Sequence, residues 1–348
     1  MSRLAIGMNV FSKHVGALSC EQRLDRSRRS AELFWVRSQL GGLSGGGSTR
    51  VCRMLSLLGW CKINGRASDC LVAPFTGDNP AMMVALSTPG DAVLSLGTST
   101  TFLLAISPSD TPPARFTTSH LLAHPTTTGA HIAMLCYKNG SLAREKVRNE
   151  YANGDWTRFN ELVAATPPGN KGYWGLYFPL PEIIPSNVIG QFHFKSEDAQ
   201  TPPIPVDTLP DAAHPRAILE SQLLSIRARV AAILQQDAPR LRRLVLTGGA
   251  STNPTICQLS ADLFGIPAYV AEDTSEAAAT GGALLARYAW WRSIGCPGVS
   301  FEEMRAGDTE RMRLVAEPDA EITNIYDGLV ESYILCEDFV VKACEKVG

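Results

Sequence analysis

The sequence predicts an α/β fold in which a mixed sheet is flanked by helices. From about residue 70 onward, short apolar runs alternate with longer stretches of helical periodicity, which is the pattern of strands alternating with helices. Two of the apolar runs are separated only by the small residues 97–100, which predicts a β-hairpin. A hydrophobic content of 45% with 19% charged residues is typical of a globular protein with a core.

The composition argues against several classes of partner. The 348-residue chain has a formal net charge of −2, which gives no sign of nucleic acid or of an anionic membrane surface. No apolar run approaches the ~20 residues of a membrane span, and we see no secretory signal. The nine cysteines are scattered without metal-ligand spacing, so we expect free thiols and a cytoplasmic location.

The first part of the chain differs from the rest. Residues 1–66 hold eleven Lys and Arg against three Asp and Glu, and residues 40–48 are mostly Gly and Ser. No helical or strand period continues across this region. We expect a poorly ordered leader at residues 1–67, with a nucleic-acid or targeting arm as the alternative, and one folded domain at residues 68–348.

The expected strands are short apolar runs bounded by turn-forming residues. The first ends in the turn-rich residues 76–80, and the second and third form the hairpin. They are expected at residues 71–75, 92–96, 101–105, 132–137, 244–246 and 266–270.

The expected helices lie between and after these strands. Residues 141–151 and 157–165 are rich in charge and are expected to face solvent, whereas residues 215–236 form a long amphipathic helix with Pro215 in its first turn. Further helices are expected at residues 255–264, 276–291 and 326–346. Residues 167–210, rich in Pro, Gly and aromatics, are expected to wrap around the outside of the domain.

Asp78 and Asn79 follow the first expected strand on a tight turn. Ligands of open α/β sheets bind at the rim where strands end, and a carboxylate beside an amide can hydrogen-bond adjacent sugar hydroxyls. The alternative is an Asx turn that only stabilises the bend.

The hairpin tip carries Gly97, Thr98 and Ser99. A glycine permits close backbone approach, and several N–H and O–H groups on one tip can bind a phosphate. A plain turn is the alternative, and the chain contains no GxxxxGK[ST] loop.

A double glycine, Gly248 and Gly249, joins an expected strand to an expected helix. Such a turn lets a flat base or ribose lie against the backbone, with Asn253 near the start of the helix to contact it. Close helix–strand packing is the alternative. The pair at 281–282 lies inside an expected helix and is expected to permit helix packing.

These motifs, in this order, resemble the FGGY carbohydrate kinases, which share the actin and hexokinase (ribonuclease H-like) ATPase fold. The likeness is carried by residues 75–80, 94–99, 138–150 and 247–251, and it extends from about residue 68 to the C-terminus. Within the family, these blocks are most similar to those of the eukaryotic type that phosphorylates D-xylulose.

The resemblance implies a role for each motif. Asp78 and Asn79 would contact a ketose, Gly97, Thr98 and Ser99 the phosphates of ATP, and Gly248, Gly249 and Asn253 its adenosine. Trp156 matches a tryptophan near the nucleotide. Arg144 and Lys146 are expected on the helix surface or in interdomain ion pairs. The implied reaction moves the γ-phosphate of Mg²⁺-ATP to D-xylulose, with another sugar of the same family as an alternative.

The N-terminal part departs from the family pattern. An N-terminal domain with a phosphate loop and a general-base aspartate is expected, but it is largely missing here, and Leu4 occupies the place of that aspartate. Phosphoryl transfer depends on positioning and on a group that accepts the hydroxyl proton. We therefore expect weak Mg²⁺-ATP binding and poor phosphorylation, with an inactive nucleotide-binding fragment as the alternative.

Overall fold

A computed structural model of the chain describes residues 75–108, 119–197, 201–233, 241–271, 277–293, 298–306 and 312–345. The expected leader, Leu4 and nearly all of the strand expected at 71–75 lie outside these residues. The described residues divide into two compact units, the first holding those within segments 1–88, 123–131 and 275–310, the second those within 89–122, 132–274 and 311–348. The domain boundary at residue 67 stays a prediction.

The larger unit is built on a mixed sheet, which confirms the predicted fold class. Strand β1 pairs in parallel with β8 and antiparallel with β2, and β8 pairs in parallel with β9. The strand order is β10-β9-β8-β1-β2-β4-β3. The strands are β1 (Asp91–Leu96), β2 (Thr100–Ile106), β3 (His120–Ala123), β4 (His131–Tyr137), β8 (Arg243–Thr247), β9 (Ala268–Ala271) and β10 (Met312–Ala316).

Burial explains why the central strands could be predicted and the edge strands could not. In β1 and β8, which have neighbours on both sides, Val93, Leu94, Val245 and Leu246 are fully buried, so both strands read as apolar runs. In the edge strand β3 no residue is fully buried, and in the edge strand β10 only Ala316 is, so neither strand has the buried run of β1 and β8. Both were absent from the expected strands.

The prediction that residues 167–210 wrap around the outside is wrong. They form a second, three-stranded antiparallel sheet in the order β5-β6-β7. Its aromatic side chains, among them Trp174, Tyr177 and Phe194, are buried in the main core. Aromatic residues there supply core area rather than a covering loop. The strands are β5 (Tyr173–Phe178), β6 (Gly190–Lys195) and β7 (Ile204–Val206).

The described part of the larger unit also contains five α-helices. Helix α4 was expected to be amphipathic, but most of its length is buried, because α2, α3, α5, α8 and β5 pack around it. Helices α2 and α3 are charged as expected, yet each also buries one face in the core, including Val147 and Phe159. The helices are α2 (Gly140–Tyr151), α3 (Trp156–Ala164), α4 (His214–Ile233), α5 (Pro254–Phe264) and α8 (Ala320–Glu345).

The smaller unit contains helices α1 (Asp78–Leu86), α6 (Ala277–Ser293) and α7 (Phe301–Arg305). A Cβ added to Gly281 would overlap the carbonyl oxygen of Ala81, so α6 packs directly on α1 through this glycine. The helix packing predicted at the double glycine 281–282 is confirmed for Gly281. Among the described helices of either unit, none is both long enough and apolar enough to span a membrane.

Candidate functional site

The two glycine-bearing turns of the larger unit follow neighbouring parallel strands. In the register of β1 and β8, Ser95 pairs with Thr247, so both strands end at the same edge of the sheet. Gly97 follows β1 and Gly248 follows β8. The carboxyl edge of parallel strands is where ligands of open α/β sheets bind, so the sheet topology brings both predicted motifs to one such edge.

Gly248 lies in direct contact with the hairpin tip. Its φ is +84°, and a Cβ on it would come within 2.7 Å of the backbone nitrogen of Gly97 and of the carbonyl carbon of Leu96. Real Cβ atoms do not approach backbone so closely, so only glycine fits. Gly248 therefore has a packing role, but it packs on the hairpin tip and not in the helix–strand contact that was the alternative, and this contact joins the two turns.

Gly249 differs from its neighbour, because among the described residues no heavy atom beyond Gly249 and its two chain neighbours lies within 4 Å of where its Cβ would be. It opens a short 3-10 turn, Gly249–Thr252, that leads into α5. Two hydroxyls hold the turn from within: Ser251 donates to the carbonyl of Gly248 at 2.7 Å, and Thr252 donates to that of Gly249 at 2.9 Å. The turn is thus braced by its own side chains while the space above Gly249 is open.

The hairpin tip is held from the side of α2. The backbone N–H of Ser141 donates to the carbonyl of Thr98 at 3.1 Å. Thr98 is exposed and Ser99 half-buried, and neither hydroxyl bonds to another residue in the described part of the chain. A turn with a fixed backbone, whose hydroxyls make no hydrogen bond to other described residues, can bind a phosphate. The positive end of the α2 helix dipole adjoins this tip.

Asn253 has a structural role that was not predicted from the sequence. It is the N-cap of α5, where its Oδ1 accepts from the N–H groups of Thr255 and Ile256. Its Nδ2 donates to Oδ1 of Asn160 at 2.9 Å. Both ends of the amide therefore have partners in this structure, and the contact between Asn253 and adenosine stays a prediction.

Trp156 is the first residue of α3 and is half-buried. Its ring meets Phe159 edge-on, with centroids 5.2 Å apart, and the guanidinium of Arg148 lies 4.8 Å from the ring centroid. Asn160, which bonds to Asn253, lies four residues further on the same face of α3. This bond ties the helix that carries Trp156 to the turn at Gly248.

Asp78 and Asn79 belong to the smaller unit, at the start of α1. They were expected on a tight turn, but they occupy the first helical turn, followed by Pro80. Proline is well accommodated there, because the first-turn N–H groups have no partner within the helix. Asp78 is exposed, and the helix has no side-chain cap, so the Asx-turn alternative is not what is observed.

The prediction that Arg144 lies on the helix surface is wrong. It is 2% exposed, and its Nη1 donates to Oγ1 of Thr100 at 3.3 Å and to Oε1 of Gln222 at 2.8 Å. Burial lowers its pKa to about 10, which leaves it charged at neutral pH. Lys146, two residues later, is exposed as expected.

The start of α2 is fixed by a residue that the sequence reading missed. The carboxylate of Glu182 accepts from the backbone N–H groups of Lys138 and Asn139, at 2.6 and 2.9 Å, and from the side chain of Asn139. Asn139 also exchanges two hydrogen bonds with the backbone of Leu180. More than forty residues separate these partners, so no local pattern indicated them.

Comparison with known proteins identifies the family of this chain. Residues 92–290 match the C-terminal domain of the FGGY family of carbohydrate kinases. A xylulose kinase of Mus musculus is 33% identical over 80% of this chain and 48% of that protein. A probable D-xylulose kinase A of Aspergillus fumigatus is 39% identical over 69% of this chain and 44% of that protein. The chain thus spans about half the length of the curated relatives it matches.

Solved structures show the same fold. A ligand-bound xylulose kinase of Lactobacillus acidophilus superposes with a TM-score of 0.65 at 16% identity, covering 83% of this chain and 56% of that one. A xylulose kinase of Bifidobacterium adolescentis gives 0.55 at 23% identity, covering 74% and 47%. The mixed sheet with flanking helices is therefore the actin/hexokinase-like class of α/β fold. The chain belongs to the FGGY family of carbohydrate kinases.

Proposed function

We propose that this chain binds ATP at the edge formed by residues 97–99 and 248–249, and that it serves in transfer of the γ-phosphate to D-xylulose, giving D-xylulose 5-phosphate. The observation that carries this proposal is the contact of Gly248 with Gly97 beside an open Gly249. One turn is rich in phosphate-binding groups, and the other leaves room for a flat group against the backbone.

Each turn has its own part in the proposed site. Gly97, Thr98 and Ser99 bind the phosphate chain with backbone N–H groups and hydroxyls that are held in place before the nucleotide arrives. Gly248 and Gly249 seat the adenosine. Asn253 caps the helix that follows their turn and contacts the adenosine, and Trp156 lies near the nucleotide on the neighbouring helix α3. Donors that need no reorganisation stabilise the charge of the transferred phosphoryl group most effectively.

The sugar half of the proposal rests on Asp78 and Asn79 and on the family. An exposed carboxylate next to an amide at a helix start can accept and donate hydrogen bonds to neighbouring sugar hydroxyls. D-xylulose is proposed because the relatives from mouse and Aspergillus fumigatus are described as kinases of that sugar.

Mg²⁺ enters this proposal as the partner of the ATP phosphates. Within the described residues, no three His, Cys, Asp or Glu side chains come together as a metal-ligand group. When bound, Mg²⁺ neutralises phosphate charge. We infer a cytoplasmic location from cysteines such as Cys257 and Cys336, which are unpaired.

The second candidate function is nucleotide binding without turnover. It is favoured by Leu4, which stands where the resemblance expects the aspartate that accepts the sugar proton. Loss of a general base lowers a rate by roughly 10²–10⁴. Binding and turnover must therefore be measured separately.

Calorimetric titration of the purified 348-residue chain with ATP tests the binding half. We expect saturable binding that Gly249→Val weakens severely, since its side chain would occupy the open space, whereas Gly298→Val, also at an open position, leaves it unchanged. ATP binding unaffected by Gly249→Val would contradict the proposed site.

ADP release with Mg²⁺-ATP and D-xylulose tests the transfer half, with a no-sugar blank and an Asp78→Ala variant. Sugar-dependent release that Asp78→Ala abolishes would establish the kinase activity. ATP binding without sugar-dependent release would select the second candidate.

A further inference from the structure

Arg144 is a buried cation that no carboxylate contacts within the described part of the chain, and the adjacent Glu145, which is exposed, acts on it only at a distance. Among the described residues, its Nη2 has no hydrogen-bond partner, and its Nη1 bonds only to the neutral side chains of Thr100 and Gln222. Removing a guanidinium from water is costly unless a carboxylate or another anion compensates the charge.

Other shielded arginines of the same unit are compensated. Arg216 pairs with Glu220 at 3.1 Å, Arg229 with Glu337 at 2.6 Å, and Arg243 with Asp91 at 2.6 Å. All three are charge-assisted pairs of the kind that normally accompanies burial of a guanidinium. Arg144 forms no such pair within the described part of the chain, and its position in the fold is informative.

That position is directly behind the hairpin tip. Thr100, which accepts from Arg144, is the residue after Ser99 and begins β2. A Cβ on Gly140 would lie 2.6 Å from the backbone nitrogen of Thr100 and 3.0 Å from the carbonyl carbon of Ser99, so α2 packs on the tip without a gap. Arg144 lies one helical turn after Gly140 on the same face of α2.

We propose that Arg144 is a positioning residue of the phosphate site, and that its missing counter-charge is the phosphate chain of the bound nucleotide. This inference rests on the proposed function. Arg144 acts from beneath the tip, through Thr100, by holding the tip in place and by keeping it electropositive. It need not touch the ligand, because a charge in a buried setting is screened far less than one in water.

The proposal predicts an effect that depends on phosphate. A unit charge about 10 Å from another, at an effective dielectric constant of about 20, changes a binding constant by on the order of tenfold. Loss of the Arg144 charge should therefore weaken ATP binding by about tenfold. The affinity for adenosine, which has no phosphate, should change by no more than about twofold.

It also predicts an unusual effect on stability. Replacing an uncompensated buried charge by an apolar side chain of similar length is often neutral or stabilising. Arg144→Met without nucleotide should therefore melt at the same temperature as the unsubstituted chain or higher, although it binds ATP more weakly. If Arg144 had only a structural role, Arg144→Met should instead melt at a lower temperature and lose affinity for ATP and for adenosine equally.

The test is calorimetric titration of the full chain with ATP and with adenosine, together with thermal unfolding, in four variants. Arg144→Lys keeps the charge and should retain ATP affinity within about threefold. Arg144→Met and Arg144→Gln lose the charge and should lose the preference for ATP. Lys146→Gln removes an exposed charge from the same helix and serves as the matched control, with no expected change.

An equal weakening of ATP and adenosine by the neutral variants, or no weakening at all, would overturn the role of Arg144 while leaving the proposed function standing. Failure of both neutral variants to fold would also overturn it, since the guanidinium would then be a structural anchor. Absence of nucleotide binding by the unsubstituted chain would overturn the proposed function and this role with it.

Discussion

At the scale of single residues, two adjacent glycines have different tasks. Gly248 needs both a left-handed φ and the absence of a Cβ, because Gly97 and Leu96 lie against it. Gly249 needs neither for the fold, since the space around it is open. Packing therefore accounts for Gly248 but not for Gly249, whose contact with the nucleotide stays a prediction.

This difference yields a paired prediction. Gly248→Ala should lower the free energy of unfolding by about 1–3 kcal/mol, through strain at positive φ and a forced backbone shift. Gly249→Ala should change it by less than about 0.5 kcal/mol, yet weaken ATP binding. Urea unfolding and calorimetric titration of both variants measure the two effects. Equal stabilities for the two alanine variants would contradict this division of tasks.

At the scale of elements, a glycine is required for packing in one helix and is not required in another. Gly281 in α6 allows contact with the backbone of α1 at Ala81, whereas Gly328 in α8 is exposed, with nothing within 4 Å of its Cβ position. The same substitution should therefore have opposite signs at the two positions.

Gly328→Ala should stabilise the protein by about 0.5–1 kcal/mol, the helix-propensity difference between the two residues. Gly281→Ala should destabilise it by several times that amount, because the helices must move apart. Denaturant unfolding, followed by circular dichroism, gives both values. A destabilised Gly328→Ala would show that this glycine has a contact which the structure lacks.

At the scale of the whole molecule, stability should depend on pH through His214. This residue is 2% exposed, stacks on Tyr151 with ring centroids 3.7 Å apart, and shares a 2.6 Å hydrogen bond with the hydroxyl of Tyr177. Burial, with a smaller contribution from the nearby His193, lowers the pKa of His214 to about 4. The ring is therefore neutral in the folded protein at neutral pH.

The sign of the effect follows from that depressed pKa. The unfolded chain takes up a proton near pH 6.5, whereas the folded protein does so only near pH 4, so stability is lost as pH falls through this window. Between pH 7 and pH 5 the loss from His214 is about 2 kcal/mol. Urea unfolding at both values, compared with His214→Gln, isolates this contribution. An equal loss in the variant would assign the pH dependence to other groups.

The sequence by itself determined the elements whose signals are local. The hairpin at Gly97, the double-glycine turn at Gly248 and the buried strands β1, β4 and β8 follow from apolar runs and turn residues within a few positions of each other. Their order along the chain was also enough to indicate the family. Local patterns are reliable here, because strand burial and turn geometry are set by neighbouring residues.

Only the tertiary structure decided which of these residues meet and which charges are buried. The contact between Gly97 and Gly248 arises from the parallel pairing of strands about 150 residues apart. Arg144 has the charge and helical setting of a surface residue, yet it is buried and donates to Gln222, 78 residues away. The aromatic residues of β5 and β6 were predicted to lie in an outer covering, but α4 packs on β5, and Phe194 of β6 contacts Phe339 of α8. Burial depends on what a distant part of the chain brings to a side chain, and no window of sequence contains that partner.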